Sequence, residues 1–224
     1  MYGVGFQAAG GSRYWLTKRA FQDTQLPGRW KLIRPFRLII IREVKSFQTQ
    51  SIQIFKRPQM NIRDIRLLYE YNYWANKKLL TAGAAVLQEQ FIKPASFPYG
   101  GLHGTLIHIL EAEWSWRALF QGIADASELL PADYPDLPTI ETRWHAEETA
   151  MRAYLATLRD EDMESHLRYT TDTGIDRDRI LWHCLLHVVN HGTQHRSEAA
   201  ALLTDFGTSP GDLDFTVFLN ERRL

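Results

Sequence analysis

From residue 61 onward apolar side chains return every three or four positions, the period of a helix with one face turned inward. The first such run is Ile65, Leu68, Tyr69, Asn72, Ala75, Leu79 and Leu80. It predicts a helix that starts at Asn61, a capping residue with Asp64 three places on, and reaches about Val86. Pro94, Pro98, Gly100 and Gly101 then mark a loop. A second helix is predicted from about Leu102 to Phe120. It is apolar nearly all round (Leu106, Ile107, Ile109, Leu110, Trp114, Trp116, Leu119), as a buried member of a bundle would be. Gly122 ends it, and Pro131, Pro135 and Pro138 stiffen a long connection. Thr139 is expected to cap a third helix, to about Leu158, with Ile140, Trp144, Thr149/Met151 and Leu155 inward. The polar stretch 160–176 reads as loop, with a short strand at His166–Thr170. A fourth long helix lies between Asp176 and Gly207, and residues 211–220 form a short closing helix or extended cover.

Four long helices are the content of an all-α four-helix bundle. The link between the second and third is too long for a tight antiparallel turn, so a crossover running the length of the bundle is expected. Residues 1–59 break this pattern: glycines come early, Pro27 and Pro35 interrupt the middle, and no helical period lasts beyond two turns. Only Arg37–Gln48 suggests a strand or short helix. Charge divides at the same place. Residues 1–59 carry eleven Lys/Arg against Asp23 and Glu43, a net of about +9, and the remainder carries about −9. The expected organisation is a basic, poorly structured or non-native extension over 1–59 and a bundle over 60–224. A basic arm suits nucleic acid or a membrane surface, but upstream translation before a natural start at Met60 is the favoured reading. The acidic bundle argues against direct nucleic-acid binding, which needs clustered Lys and Arg. The one cysteine, Cys184, excludes an intramolecular disulfide and suits a reducing compartment, the cytoplasm. No stretch approaches the ~20 apolar residues of a membrane span.

The fourth helix carries the chemistry. His183, His187, His191 and His195 recur every fourth residue, each step turning about 40° around the axis. Leu181, Cys184, Val188, Ala199, Leu202 and Phe206 form the apolar stripe; His195 falls inside it and His191 at its edge. His187 lies farther out and His183 well to the side. Imidazoles one turn apart on a buried face need hydrogen-bond partners or a metal. On the second helix His108 shares its face with Gly101, Gly104, Ala112 and Ser115, small residues that leave room for an ion or serve close helix packing. His108, His191 and His195 together would give three neutral nitrogen ligands, the open arrangement of catalytic zinc. His187 is either a residue that orients the site or a satisfied core histidine, and His183 is a solvated edge residue. Glu111 could touch a metal or its water, or pair with an arginine. Cys184 reads as core rather than ligand. Trp74, Trp114, Trp116 and Trp144 read mainly as core, with one or two walling a pocket beside the metal. The glycines of 3–11 are not a phosphate loop, since no Lys-Ser/Thr follows them.

Four segments, Tyr71–Lys77 (YNYWANK), Gly104–Arg117 (GTLIHILEAEWSWR), Leu186–Ala199 (LHVVNHGTQHRSEA) and Ser209–Phe215 (SPGDLDF), resemble the DinB (DinB/YfiT-like) superfamily of four-helix-bundle proteins. The resemblance covers residues 61 to about 222. It implies a divalent metal, zinc foremost with nickel or manganese as alternatives, at His108, His191 and His195. It also implies an activity among thiol-dependent transferases and isomerases, in which the metal lowers the pKa of a bound low-molecular-weight thiol that attacks an electrophile. The partners would be a small-molecule substrate or thiol, and the assembly a homodimer. A hydrolytic metal-bound water is the chemical alternative. A non-enzymatic, stress- or DNA-damage-associated metal-binding protein is the alternative of a different class. Family members often read H-x-x-H-H-R-G-Q across the last ligand. Here Gln194 precedes His195 and Ser197-Glu198 replaces Gly-Gln, so the ligands are retained and the family's supporting residue is not.

If residues 1–59 contribute nothing to the bundle, a chain beginning at Met60 will be soluble, helical by circular dichroism and metal-loaded. Aggregation of that shortened chain would show instead that the segment covers part of the core.

Overall fold

The computed structural model describes residues 60–224 apart from 124–126, 172 and 224. The expectations for 1–59, including an element at 37–48, lie outside the described residues. Helix α1 (Ile62–Gly83) opens on Asn61, whose side-chain oxygen accepts from the Asp64 N–H at 3.0 Å. It stops three residues short of Val86, and a single-turn α2 (Gln88–Phe91) follows the intervening turn. Helix α3 (Leu102–Phe120) occupies the predicted span. Helix α4 (Leu137–Thr157) corrects the expected cap. Asp136, not Thr139, takes that role by accepting from the Thr139 N–H at 2.9 Å. Pro138 can then lie in the first turn, where its missing N–H removes no helical bond.

Strand β1 (His166–Thr170) has the bounds the sequence suggests, and it pairs antiparallel with β2 (Asp176–Ile180). The second strand reads Asp-Arg-Asp-Arg-Ile and has no apolar face, so alternation could not reveal it. Helix α5 (Leu181–Asp205) carries the histidines, and α6 (Phe215–Arg222) closes the described chain. No helix among the described residues is long and apolar enough to cross a membrane.

Contacts between the four long helices fix their directions. Arg117 meets Glu147 and, farther along both helices, Phe120 stacks on Tyr154, so α3 and α4 run parallel. Arg66 of α1 donates to the Leu155 carbonyl at 2.8 Å while Gly83 lies beside Leu137, so α1 and α4 are antiparallel. Two parallel helices in succession require a connection that climbs the bundle, and the described residues 127–136 run alongside α3 on that climb. Trp114 Nε1 donates to the Ser127 carbonyl at 3.1 Å, the Leu129 N–H reaches Glu111 at 3.4 Å, and His103 Nε2 donates to the Tyr134 carbonyl at 2.7 Å. The chain thus rises from the end of α3 back to its start before α4 begins.

Two apolar clusters fill the bundle. One gathers Leu79, Leu106, Ile109, Leu110, Ile140 and Leu203; the other gathers Ile65, Tyr69, Met151, Leu155, Leu185 and Val188. Between them along α1, α3 and α5 lies a buried polar layer. Glu113 accepts from Asn72 Nδ2 at 2.7 Å, Asn76 Nδ2 at 2.8 Å and Trp144 Nε1 at 2.9 Å. The same two asparagines turn their oxygens to the Arg196 guanidinium, which donates to Asn72 and, at 3.0 Å, to Asn76. Its other terminal nitrogen donates to Thr193 Oγ1 at 2.9 Å and the Val189 carbonyl at 3.2 Å. Burial pushes the Glu113 carboxyl above its ordinary pKa and the Arg196 guanidinium below its own. The hydrogen bonds and the opposite charge work against both shifts. A neighbouring buried pair joins Arg117 of α3 to Glu147 of α4, with Nη2 to Oε2 at 2.9 Å.

Removing one member of such a network strands the other charge in the core, a loss of about 3–5 kcal/mol. Arg196→Met is therefore expected to lower the urea-unfolding free energy by about that amount. Adding Glu113→Gln should recover part of the loss. Additive destabilisation in the double variant would show that the two charges are not coupled.

Candidate metal centre

Helices α3 and α5 pack antiparallel, with His108 level with His191 and Trp116 level with His187. This brings His108 from one helix against the i, i+4 pair His191 and His195 from the other. One ligating nitrogen from each of the three rings lies within 4.8 Å of the others. His108 Nε2 and His191 Nε2 are 3.2 Å apart. Two nitrogens coordinating one zinc at ~2.0–2.1 Å in tetrahedral geometry stand about 3.3 Å from each other, so the spacing fits such an ion. His195 is buried, while His108 and His191 are partly exposed.

The electrostatics suit a cation without suiting a proton. Burial, reinforced by the neighbouring imidazoles, holds the His108 and His191 pKa values down at about 4. Both rings are thus neutral at physiological pH, the form that binds a metal. His191 Nδ1 is buried with no hydrogen-bond partner among the described residues. His195 is held differently, because its Nδ1 lies 2.8 Å from Glu198 Oε2 one turn along α5. The residue that family members carry at this place is absent, as expected, and Glu198 in its position supplies an acceptor to His195.

A residue that sequence reasoning missed completes the surroundings. Tyr99, in the loop before α3, stacks on His108 with ring centroids 3.6 Å apart and meets His195 edge-on at 5.2 Å. Two of the small residues on the face of His108, Gly101 and Gly104, serve close approach of this loop. A Cβ on Gly104 would stand 2.0 Å from the Tyr99 carbonyl oxygen, and one on Gly101 would stand 2.5 Å from that of Lys93. Both glycines let the loop lie close against α3 and so deliver the tyrosine. The available signal was the glycine pair at a helix start, which marks close backbone approach.

The remaining candidates divide. His187 packs against Trp116 at 5.1 Å and against His191 at 5.6 Å, outside the three-nitrogen cluster. His183 is exposed and packs on Trp182. Glu111 accepts from the Leu129 N–H in the crossover. Cys184 is buried in the helix interior, and burial raises its thiol pKa. Trp144 is core, Trp114 lies beneath the Arg117 and Arg143 guanidiniums, and Trp74 donates to Glu221 at 2.7 Å. A groove of about 460 Å³ between α1 and the 209–221 region, lined by Trp74, Lys78, Ser209 and Glu221 among others, includes none of the three histidines. Donor chemistry, not depth of concavity, marks the candidate site.

With this geometry in hand, comparison with known proteins is decisive at the level of family. Residues 58–223 match the family described as DinB family. The chain belongs to the DinB family. It is similar to Protein DinB of Bacillus subtilis (strain 168), 24% identical over 157 residues that make up 68% of this chain and 91% of that protein. It is also similar to the uncharacterized protein YizA of the same organism, 26% identical over 125 residues, 55% of this chain and 78% of that protein.

If the three nitrogens share one ion, His191→Ala will abolish stoichiometric metal binding, while His183→Ala will leave it intact. Metal analysis of the untagged proteins after dialysis measures both. Equal metal content in the two variants would remove His191 from the site.

Proposed function

We propose that this DinB-family protein is a divalent-metal enzyme that binds a low-molecular-weight thiol at His108, His191 and His195 and transfers it to an electrophilic small molecule. The observation that carries this reading is the convergence of three histidine nitrogens within 4.8 Å on a partly exposed surface. Three neutral nitrogens would bring no formal charge of their own to a dipositive ion, which would favour an anionic partner such as a thiolate. When bound, the metal, zinc in the first instance, supplies Lewis acidity that lowers the pKa of the incoming thiol.

The chain's own residues do the rest. Burial keeps His108 and His191 unprotonated, so no proton competes for their nitrogens near neutral pH. Tyr99 covers one side of His108 and is itself 40% exposed, so this aromatic wall of the site meets solvent. Its hydroxyl is held protonated, chiefly by burial and then by Glu198 and Glu111, and is a hydrogen-bond donor available to a bound anion.

Cobalt substitution tests the proposal. A thiolate–cobalt bond produces a charge-transfer band in the near ultraviolet, expected with at least one low-molecular-weight thiol and lost in His195→Ala. Should no thiol perturb the cobalt spectrum while acetate or hydroxide does, the transferase reading gives way to hydrolysis.

A further inference from the structure

His195 differs from the other two candidate ligands in how its ring is held. Its side chain is 5% exposed, and the Glu198 carboxylate that reaches its Nδ1 at 2.8 Å is 19% exposed. A solvated i, i+3 ion pair would leave both groups in water, where such contacts contribute little. Here the imidazole is enclosed and water competes weakly for the carboxylate, so the bond is strong and directional. A carboxylate only accepts, so His195 Nδ1 carries the hydrogen. The tautomer is thereby fixed, and the lone pair is left on Nε2. The His195 ring centroid lies 4.7 Å from that of His108 and 4.5 Å from that of His191.

From this geometry, and resting on the metal-binding reading above, we infer that Glu198 is a positioning residue for the metal. It locks His195 in the tautomer that presents Nε2, and its negative charge raises the donor strength of that nitrogen. Two consequences follow from one contact. The ring is already oriented before the ion arrives, so less freedom is lost on binding. The carboxylate also offsets part of the ion's charge through the imidazole, which three neutral ligands alone do not do. Charge and orientation separate experimentally, because glutamine at 198 can still accept from Nδ1–H but carries no charge.

The test is metal affinity, read without reference to turnover. Metal-free wild-type, Glu198→Gln and Glu198→Ala proteins are titrated with zinc against a chromophoric chelator and with cobalt in the visible region. Loss of such a supporting partner weakens metal binding about 10–100-fold. Glu198→Ala should fall in that range and Glu198→Gln between it and wild type. The visible band of the glutamine variant should shift as the donor weakens, and far-ultraviolet circular dichroism should be unchanged in all three metal-free proteins. Wild-type binding of one equivalent, with both variants within twofold of it, would overturn the role of Glu198 and leave the three-histidine site standing. Failure of wild type to bind either ion would overturn both. If alanine alone lost affinity and glutamine matched wild type with an unshifted band, orientation would be retained and the charge effect discarded.

Discussion

A buried glutamate and a buried arginine, bridged by two asparagines, set the register of this bundle. Glu113 comes from α3, Asn72 and Asn76 from α1, Trp144 from α4 and Arg196 from α5, so one network ties all four long helices together. Apolar packing alone tolerates sliding by a turn, since one leucine row resembles the next. A charge in the core does not, because any slip leaves it without its partner. With Arg196 fixed toward α1, the residue before it is turned by about 100° around α5. That rotation carries His195 to the α3 side, where His108 waits.

The two rows interleave. His191 and His195 form one, and Gly192 and Arg196 form the other, each one residue on. Gly192 belongs to the polar layer as firmly as the arginine does. A Cβ there would stand 2.6 Å from Arg196 Nη1 and 3.1 Å from Asn72 Oδ1. The segment His191-Gly-Thr-Gln-His-Arg196 thus satisfies two demands at once, imidazoles toward α3 and a guanidinium toward α1. The asparagines of Tyr71–Lys77 and the glutamate of Gly104–Arg117 answer the same layer.

Much of this was legible in the sequence because it rests on periodicity. The spans of α1, α3, α4 and α5 follow from apolar rows, and the crossover follows from loop length. The three histidines stood out because helical spacing places them on inward faces. What was missed has a physical pattern too. Leu185, Val189, Gly192, Arg196, Ala199 and Leu203 make a regular row on α5, as do Leu106, Leu110, Glu113 and Arg117 on α3, and all are buried. Charges inside two otherwise apolar rows, Arg196 on α5 and Glu113 with Arg117 on α3, signal buried pairs, but a wheel drawn for one helix does not show the partner on another. Strand β2 and the single-turn α2 lack any period of their own and exist through pairing and packing. Tyr99 lies in a loop, where position depends on contacts distant from the tyrosine itself.

The candidate site combines parts held in different ways, and this bears on what it could bind. His191 and His195 lie on a long helix whose register the polar layer holds, and His108 lies on a helix pinned by the same layer through Glu113. Tyr99 instead reaches the site from a loop closed by short backbone bonds, Ala95 N–H to the Gly100 carbonyl at 2.7 Å and Gly100 N–H to the Phe97 carbonyl at 3.0 Å. It contacts two of the three rings and is the most exposed of the four. Under the proposed function, helix-borne histidines beside a loop-borne aromatic would leave the cation geometry to the bundle and the contacts with a guest to the loop. Selectivity for a substrate would then reside in residues 94–101 more than in the histidines. Such a division would let the three histidines stay fixed while the chemistry presented to a guest changes.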